Sequence, residues 1–267
     1  MWQVIEQAIA EATGEPFRIR SSEAVTGGCI SQARRLQGDK RSFFVKLSSA
    51  ERLAMFEAEA AGLAAIIASN SLRAPRPVAW GVAEGHSWLA LEFIEFTSAS
   101  ASTSALLGER LAAMHRHTAE EFGWDRDNTI GSTPQPNPAT NDWISFFREQ
   151  RLGFQLTLAA RNSAPPPLLR LGQQLLAELP ALFGAHRPQA SLLHGDLWGG
   201  NWAADTEGMP VIFDPAVYFG DREADLAMTE LFGGFNSDFY AAYNAAWPLD
   251  PGYSARKRLY NLYHILN

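Results

Sequence analysis

The order of secondary-structure patterns along this 267-residue chain leaves few folds open to it. Its first part reads as short strands, bounded by glycine-containing turns, at 17–25, 30–36, 42–47, 78–82 and 88–94. One long alanine-rich helix pattern, 50–68, interrupts them. A Ser, Ala and Thr run at 97–103 is the expected linker. After it the pattern predicts short strands near 191–193 and 211–213 and helices over 104–117, 141–160, 167–183, 222–232, 237–246 and 254–266. This order predicts an α+β chain of two lobes around a cleft: a sheet lobe over 1–95 and a larger, mostly helical lobe over 96–267.

Composition excludes several classes of protein. The formal net charge of −7 argues against a nucleic-acid binder that relies on phosphate contacts. No apolar run reaches the roughly 18 residues of a membrane span, and the N-terminus lacks a signal-peptide pattern, so a cytoplasmic protein is expected. The single cysteine, Cys29, cannot form an internal disulfide. It is either a small space-filling residue or an accessible redox-active thiol, which leaves a monomer and a disulfide-linked homodimer open.

The stretch His194-Gly-Asp-Leu-Trp-Gly-Gly-Asn201 has the spacing of a kinase catalytic loop. Such a loop supplies a carboxylate that accepts the proton of the attacking hydroxyl, and an amide that ligates Mg²⁺. Asp196 is therefore the candidate base, and Asn201 a candidate metal ligand. Gly199 and Gly200 are expected to let the loop turn sharply. A polar turn between two strands could have the same composition, so the motif needs a partner.

That partner is Asp214, which ends the apolar segment Val211-Ile-Phe. A second acidic Mg²⁺ ligand at a strand end is what phosphoryl transfer by a kinase requires. A turn aspartate before a proline is the ordinary alternative. The two motifs together predict an enzyme that uses ATP and Mg²⁺.

Lys46 lies in the apolar strand segment 43–47, where a lysine can bind the nucleotide phosphates. The chain has only three lysines, and the other two lie beside arginines in polar surroundings. An anchoring glutamate is expected on the following helix, which offers Glu57 and Glu59. Glu59 is favoured because it shares a helix face with the bulky apolar residues.

Two backbone segments complete the expected nucleotide site. Gly27 and Gly28 fall in the turn between the first two strands, where backbone N–H groups could cover the phosphates. The last strand of the first lobe runs through Glu92 to Ile94, just before the linker, where its backbone could bind the adenine. An ordinary hairpin turn and a buried strand explain the same patterns.

Over nearly the whole chain, the sequence resembles the fructosamine kinase (ketosamine-3-kinase) family. The most specific similarity lies in HGDLWGGN (194–201) and DPAVYFGDREAD (214–225), with further matches at 26–31, 122–137, 142–152 and 231–234. The resemblance implies a two-lobed protein-kinase-like fold, with an antiparallel sheet in the first lobe, like that of aminoglycoside phosphotransferases. It implies ATP-dependent phosphorylation of the O3 hydroxyl of ketosamines, free or protein-linked, as a deglycation repair. Bacterial members are expected to favour ribulosamines or erythrulosamines over fructosamines.

Carried over by position, the resemblance implies the same roles for Asp196, for Asn201 and Asp214, and for Lys46 with Glu59. Trp198 is expected to stack on the sugar or to cap the pocket. Asp221 is expected to contact the substrate amine. His194 is expected to hold the loop through hydrogen bonds, and Arg222 to pair with an acid.

Two alternatives remain open. The acceptor could instead be an aminoglycoside, choline or homoserine on the same scaffold. The chain could also be a pseudokinase that binds nucleotide without transferring its phosphate, although all the groups needed for transfer are present.

Overall fold

The computed structural model describes residues 1–25 and 32–267. In this part of the chain, helix α1 (Trp2–Thr13) precedes an antiparallel sheet, and helix α2 (Leu53–Ala68) follows its third strand after a 3₁₀ turn over Ala50–Arg52. The strands of the sheet lie in the order β1-β2-β3-β5-β4. They are β1 (Ser21–Val25), β2 (Gln32–Gln37), β3 (Ser42–Ser49), β4 (Pro77–Ala83) and β5 (His86–Glu92).

Strand β3 lies in the middle of this sheet, and its successive side chains point to opposite faces of the sheet. Phe43, Val45 and Leu47 pack with Ile5 and Ile9 of α1 in one buried cluster. The alternate residues therefore face the other side of the sheet, where α2 packs. This register directs Lys46 toward α2.

The rest of the chain is mostly helical. Its helices are α3 (Ala101–His115), α4 (Trp143–Phe146), α5 (Phe154–Arg161), α6 (Pro166–Phe183), α7 (Glu223–Leu231), α8 (Ser237–Ala246) and α9 (Tyr253–Leu266), with a π-helical segment over Phe147–Gly153. Its strands are β6 (Phe96–Thr97), β7 (Thr118–Ala119), β8 (Asn128–Ile130), β9 (Thr133–Gln135), β10 (Ala190–Leu193), β11 (Trp202–Asp205), β12 (Pro210–Ile212) and β13 (Tyr218–Gly220). Within residues 1–25 and 32–267, no helix has both the length and the apolar character needed to cross a bilayer.

The short strands form three small antiparallel units: β13-β10-β7, β12-β11-β6 and the hairpin β8-β9. Strands β10 and β11 bracket the loop that contains Asp196 and Asn201. Strand β12 ends two residues before Asp214. The small sheets therefore bring the two predicted motifs to one place.

Two regions differ from the sequence prediction. The expected linker 97–103 is largely structured, because β6 pairs with β11 and α3 begins at Ala101. The Ser100 hydroxyl caps α3 by accepting a hydrogen bond from the Thr103 N–H at 3.1 Å. The single helix expected over 141–160 is divided by the π-helical segment into α4 and α5.

One buried apolar cluster crosses from the sheet half to the helical half. It joins Leu63 of α2 and Leu89 of β5 to Leu107 of α3, Leu192 of β10 and Phe239 of α8. Helix α2 also lies close to the segment after Asp214, since a Cβ at Gly62 would stand 3.1 Å from Val217. The position of α2 is thus fixed by both halves of the molecule.

Candidate active site

The Lys46 side chain joins three elements. Its Nζ lies 2.6 Å from Glu59 Oε1 on α2 and 2.7 Å from Asp214 Oδ1 after β12. Burial alone would lower the pKa of Lys46, but the charges of the two carboxylates and the hydrogen bonds to them outweigh burial and raise it. Lys46 is therefore a permanent cation between the sheet, α2 and the segment that follows β12. Glu57, the other glutamate of α2, is exposed.

The backbone at Asp214 adopts a left-handed conformation, with φ of 57°. A non-glycine residue rarely takes this conformation, and such residues concentrate at functional sites. The preceding residue, Phe213, stacks on Phe96 of β6 with ring centroids 5.2 Å apart. The start of the second half of the chain is thus packed directly against the segment that presents Asp214.

Asp196 and Asn201 contact each other within the catalytic loop. The Asn201 amide donates to the Asp196 carbonyl oxygen at 2.8 Å and to Asp196 Oδ2 at 3.2 Å. Burial, together with the negative charge of Asp214, raises the pKa of Asp196 to about 7. This half-buried carboxylate therefore lies close enough to Asp214 to be affected by its charge.

His194 holds the loop from inside, as the sequence suggests. Its Nε2 donates to the Phe213 carbonyl oxygen at 3.0 Å, and its Nδ1 accepts from the Asp196 N–H at 3.3 Å. Burial lowers the pKa of His194 and keeps the imidazole neutral, which this donor-and-acceptor pattern requires. The His194 side chain therefore links the loop that contains Asp196 to Phe213, the residue before Asp214.

Asp225 of α7 is the main anchor of the catalytic loop. Its carboxylate accepts from the His194 N–H at 2.7 Å and from the Gly195 N–H at 2.8 Å. The buried His115 ring lies 3.1 Å from the same carboxylate, and its other nitrogen lies 2.8 Å from the Tyr243 hydroxyl. Burial alone would raise the pKa of Asp225, but these hydrogen bonds lower it. The only sign of this role in the sequence is an acid between apolar residues on one helix.

The glycines of the loop form turns, as expected, and also allow close packing. Gly195 has a φ of 82°. Gly199 and Gly200 are the central residues of a turn that the Asn201 N–H closes by donating to the Trp198 carbonyl oxygen at 2.9 Å. A Cβ at Gly200 would lie 2.3 Å from the Trp198 ring, and one at Gly199 would lie 2.9 Å from the Gly233 carbonyl oxygen, so both positions also require a residue without a side chain.

Trp198 lies at the rim of a cavity of about 370 Å³ beside Asp196. Its side chain is 41% exposed and meets the 62% exposed Phe232 edge to face, with centroids 6.4 Å apart. The remaining described residues that line the cavity are Ile130, Met228, His264 and Asn267. The cavity is therefore largely apolar and opens next to the candidate base.

Asp221 does not face this cavity, contrary to the expected contact with a substrate amine. It is 1% exposed, and its Oδ2 accepts from the Tyr260 hydroxyl at 2.6 Å and lies 2.9 Å from His186 Nε2. The other oxygen accepts from the Glu223 N–H at 3.0 Å. With both oxygens committed, Asp221 ties α7 to α9 and to the loop before β10.

Arg222 also differs from expectation, because it pairs with no acid among the described residues. Its guanidinium donates to the Tyr243 hydroxyl and to the carbonyl oxygens of Trp247 and Pro248, and it stacks 4.0 Å from the Trp247 ring. It therefore fixes the end of α8.

The structure describes only some of the remaining predicted site residues. The Glu92 carboxylate points away from Lys46, toward Arg73 at 3.2 Å and the Arg76 N–H at 3.3 Å. Ile94 is buried just after β5 ends. The expected adenine contacts involve the backbone of this segment and stay a prediction. Gly27, Gly28 and Cys29 lie outside the described residues.

The oxygen atoms near Lys46 suit a divalent cation. Glu59 and Asp214 both contact Lys46, and the Asp196 carboxylate lies near Asp214, so negative charge exceeds positive charge locally. The amide nitrogen of Asn201 is committed to Asp196, so its oxygen points elsewhere. Carboxylate and amide oxygens are the ligands that Mg²⁺ takes in kinase sites. The donor set therefore fits this ion.

Comparison with known proteins gives close relatives over the whole chain. A family model described as fructosamine kinase matches residues 1–267. A probable ketoamine kinase from Synechocystis sp. is 49% identical over 269 residues, covering 100% of this chain and 90% of that protein. A chloroplastic protein-ribulosamine 3-kinase from Oryza sativa subsp. indica is 42% identical over 257 residues, covering 95% of this chain and 75% of that protein.

Solved structures agree with this similarity. A crystal structure from Haemophilus somnus 129PT, assigned as a fructosamine-3-kinase, has a TM-score of 0.92 and 32% identity, covering 100% of this chain and 90% of its own. The aminoglycoside phosphotransferase APH(4)-Ia has a TM-score of 0.64 at 15% identity, covering 100% of this chain and 90% of its own, and so shares the fold. Fold and site thus define a kinase-like phosphotransferase. Within that class, the chain belongs to the fructosamine kinase family.

Proposed function

We propose that the protein transfers the γ-phosphoryl group of ATP to the O3 hydroxyl of a ketosamine, as a deglycation repair. The observation that carries the proposal is the convergence of Lys46, Glu59, Asp196, Asn201 and Asp214 in a member of the fructosamine kinase family. These groups meet the two needs of phosphoryl transfer, which are positioning and charge stabilisation.

In this proposal Lys46 binds the nucleotide phosphates, and Glu59 holds the lysine in place. Asp214 and Asn201 hold Mg²⁺, which when bound offsets the negative charge of the phosphates. Lys46 lies 2.7 Å from Asp214, so the cation and the metal ligand would act on neighbouring phosphate oxygens. The raised pKa of Lys46 keeps it charged throughout.

Asp196 is the proposed base, which orients the acceptor hydroxyl and accepts its proton. A base works best when its pKa lies near the operating pH. Burial and the charge of Asp214 raise the pKa of Asp196 to about 7, which supports this role. Asn201 holds Oδ2 of this carboxylate, so the other oxygen is the one directed at the acceptor.

The cavity beside Asp196 favours a ketosamine over an aminoglycoside acceptor. Asp196 is the sole acid among its described lining residues, whereas an aminoglycoside carries several ammonium groups that need carboxylate partners. A ketosamine carries one amine and a short polyhydroxyl chain. Trp198 is the proposed contact for the sugar or the neighbouring amine.

A panel of acceptors tests the proposal. Purified protein is incubated with labelled ATP and Mg²⁺, and with ribulosamine, erythrulosamine, fructosamine or an aminoglycoside. NMR then identifies the hydroxyl that carries the phosphate in each product. We expect phosphate on O3 of a ketosamine. Phosphorylation of the antibiotic and of no ketosamine would favour the alternative acceptor. Binding of Mg-ATP without turnover on any acceptor would instead identify a pseudokinase.

A further inference from the structure

The cavity beside Asp196 contains a polar side chain that the proposed chemistry does not use. His264 of α9 lines this cavity together with the apolar residues Ile130, Trp198, Met228 and Phe232. Among the described residues, the His264 ring has no hydrogen-bond partner, and its Nδ1 is fully enclosed. Because Nδ1 is enclosed, Nε2 is the ring nitrogen that remains for a ligand in this cavity.

Two other polar atoms of the described lining are already engaged. Asp196 Oδ2 accepts from the Asn201 amide at 3.2 Å. Asn267 Oδ1 accepts from Gln155 Nε2 at 3.0 Å. The His264 ring has no partner among the described residues, so it adds an uncommitted polar group to a wall that Ile130, Met228 and Phe232 make apolar.

The chemistry of the ring limits what it can recognise. Burial lowers the pKa of His264 to about 4, so the imidazole is neutral at physiological pH. A neutral imidazole offers one donor and one acceptor, which matches a hydroxyl group. It gives no charge attraction to a phosphate or a carboxylate. A polyhydroxyl chain running along the apolar wall from Asp196 suits this arrangement.

We propose that His264 determines acceptor specificity by making a hydrogen bond, through its Nε2 edge, to a sugar hydroxyl of the ketosamine other than O3. This inference rests on the proposed function and adds a residue that recognises the sugar chain.

The test compares three variants on the same ketosamine substrates. His264→Phe keeps the ring but removes its polar atoms, and His264→Gln restores one donor and one acceptor. Asn261→Leu is the matched control, because Asn261 lies on the same helix with an equally enclosed, unpartnered Oδ1 but is not among the described lining residues. Melting curves by circular dichroism check that each variant folds.

Loss of one neutral hydrogen bond corresponds to about 0.5–1.5 kcal/mol. We therefore expect His264→Phe to raise the KM for ribulosamine roughly two- to tenfold, with the KM for ATP unchanged. His264→Gln should recover part of this loss, and Asn261→Leu should resemble the wild type. The decisive arm uses ribulosamine analogues that lack the 4- or the 5-hydroxyl. For one of these analogues, the KM of His264→Phe should equal the KM of the wild type, because the hydroxyl that His264 binds is already absent.

Three results would overturn the inference: an equal loss from His264→Phe on every analogue, no loss at all, or the same loss from Asn261→Leu. If His264→Phe does not fold, His264→Gln is tested against the analogues in its place. Failure of the proposed function has a separate signature, since the wild type itself would then phosphorylate no ketosamine. That result would reject both proposals.

Discussion

The raised pKa of Asp196 follows from the groups that surround this one residue. Glu59 and Asp214 both contact Lys46, whereas Asp196 lies near Asp214 and forms no ion pair among the described residues. Asp196 is left with an amide partner, and its pKa of about 7 reflects burial and the nearby charge of Asp214. Similar carboxylates thus acquire different roles through their neighbours.

The first prediction concerns Asp196→Asn. The amide keeps the shape of the side chain but cannot accept the proton of the acceptor hydroxyl, so kcat should fall about 10²–10⁴-fold while the KM for ATP stays within a few-fold. Steady-state kinetics with ribulosamine measures both values. Asp125→Asn, an exposed aspartate whose contacts lie outside the site, is the control and should retain activity. A variant that keeps a tenth of the wild-type turnover would argue against Asp196 as the base.

The sequence indicates some of these residues and not others for physical reasons. Lys46 and Asp214 are indicated by the apolar strand segments that contain or precede them, and Glu59 by the helix face that it shares with bulky apolar residues. His264 gives no such signal, because its lack of a partner is a property of the packed cavity. Asp221 is misjudged for a related reason. A cluster of charges can serve a substrate or an internal network, and only its contacts distinguish the two.

At the level of elements, the long helices, the main sheet and the two short strands β10 and β12 could be predicted, whereas the other short strands could not. Helix α8 has the predicted bounds, 237–246. Strands such as β7 and β13 have two or three residues, too few to show a period, and both pair with β10. The strands that lead into the two motifs are therefore visible in the sequence, but the strands that support them are not.

The contact between α3 and α8 depends on one glycine. A Cβ at Gly108 of α3 would lie 2.2 Å from the Phe239 carbonyl oxygen of α8, and that backbone cannot rotate away as a side chain can. The two helices are therefore held closer than any larger residue would allow. Their contact also closes the apolar cluster that contains Leu107 and Phe239.

The second prediction is that Gly108→Ala lowers the free energy of unfolding by about 1–3 kcal/mol, the usual cost of overpacking. Gly172→Ala in α6 is the matched control. Its added Cβ meets only the movable side chain of Leu156, and alanine favours a helix over glycine by about 1 kcal/mol. We expect Gly172→Ala to be neutral or stabilising. Urea unfolding followed by circular dichroism measures both, and equal stability of the two variants would contradict the proposed close contact.

At the scale of the whole molecule, the apolar cluster shared by the two halves decides whether they unfold together. Leu63 and Leu89 from the sheet half pack in the same cluster as Leu107, Leu192 and Phe239 from the helical half. Lys46 adds a polar link through Asp214. Each half therefore buries part of its apolar surface only against the other half. Proteins with two separate domains often unfold in steps, and this arrangement argues for one step.

The last prediction uses Leu36→Ala, in the cluster formed by α1 and the sheet. Leu36 is fully buried, so its truncation should cost about 2–5 kcal/mol. If the halves unfold together, the far-UV circular dichroism of the helices should shift to the same lower urea midpoint as tryptophan fluorescence, because the helical half cannot survive loss of the sheet. Leu171→Ala, at a leucine that is 62% exposed, should shift neither signal. A helical signal that keeps its wild-type midpoint while the fluorescence shifts would show that the halves unfold independently. The shared cluster would then be an interface between two domains rather than one core.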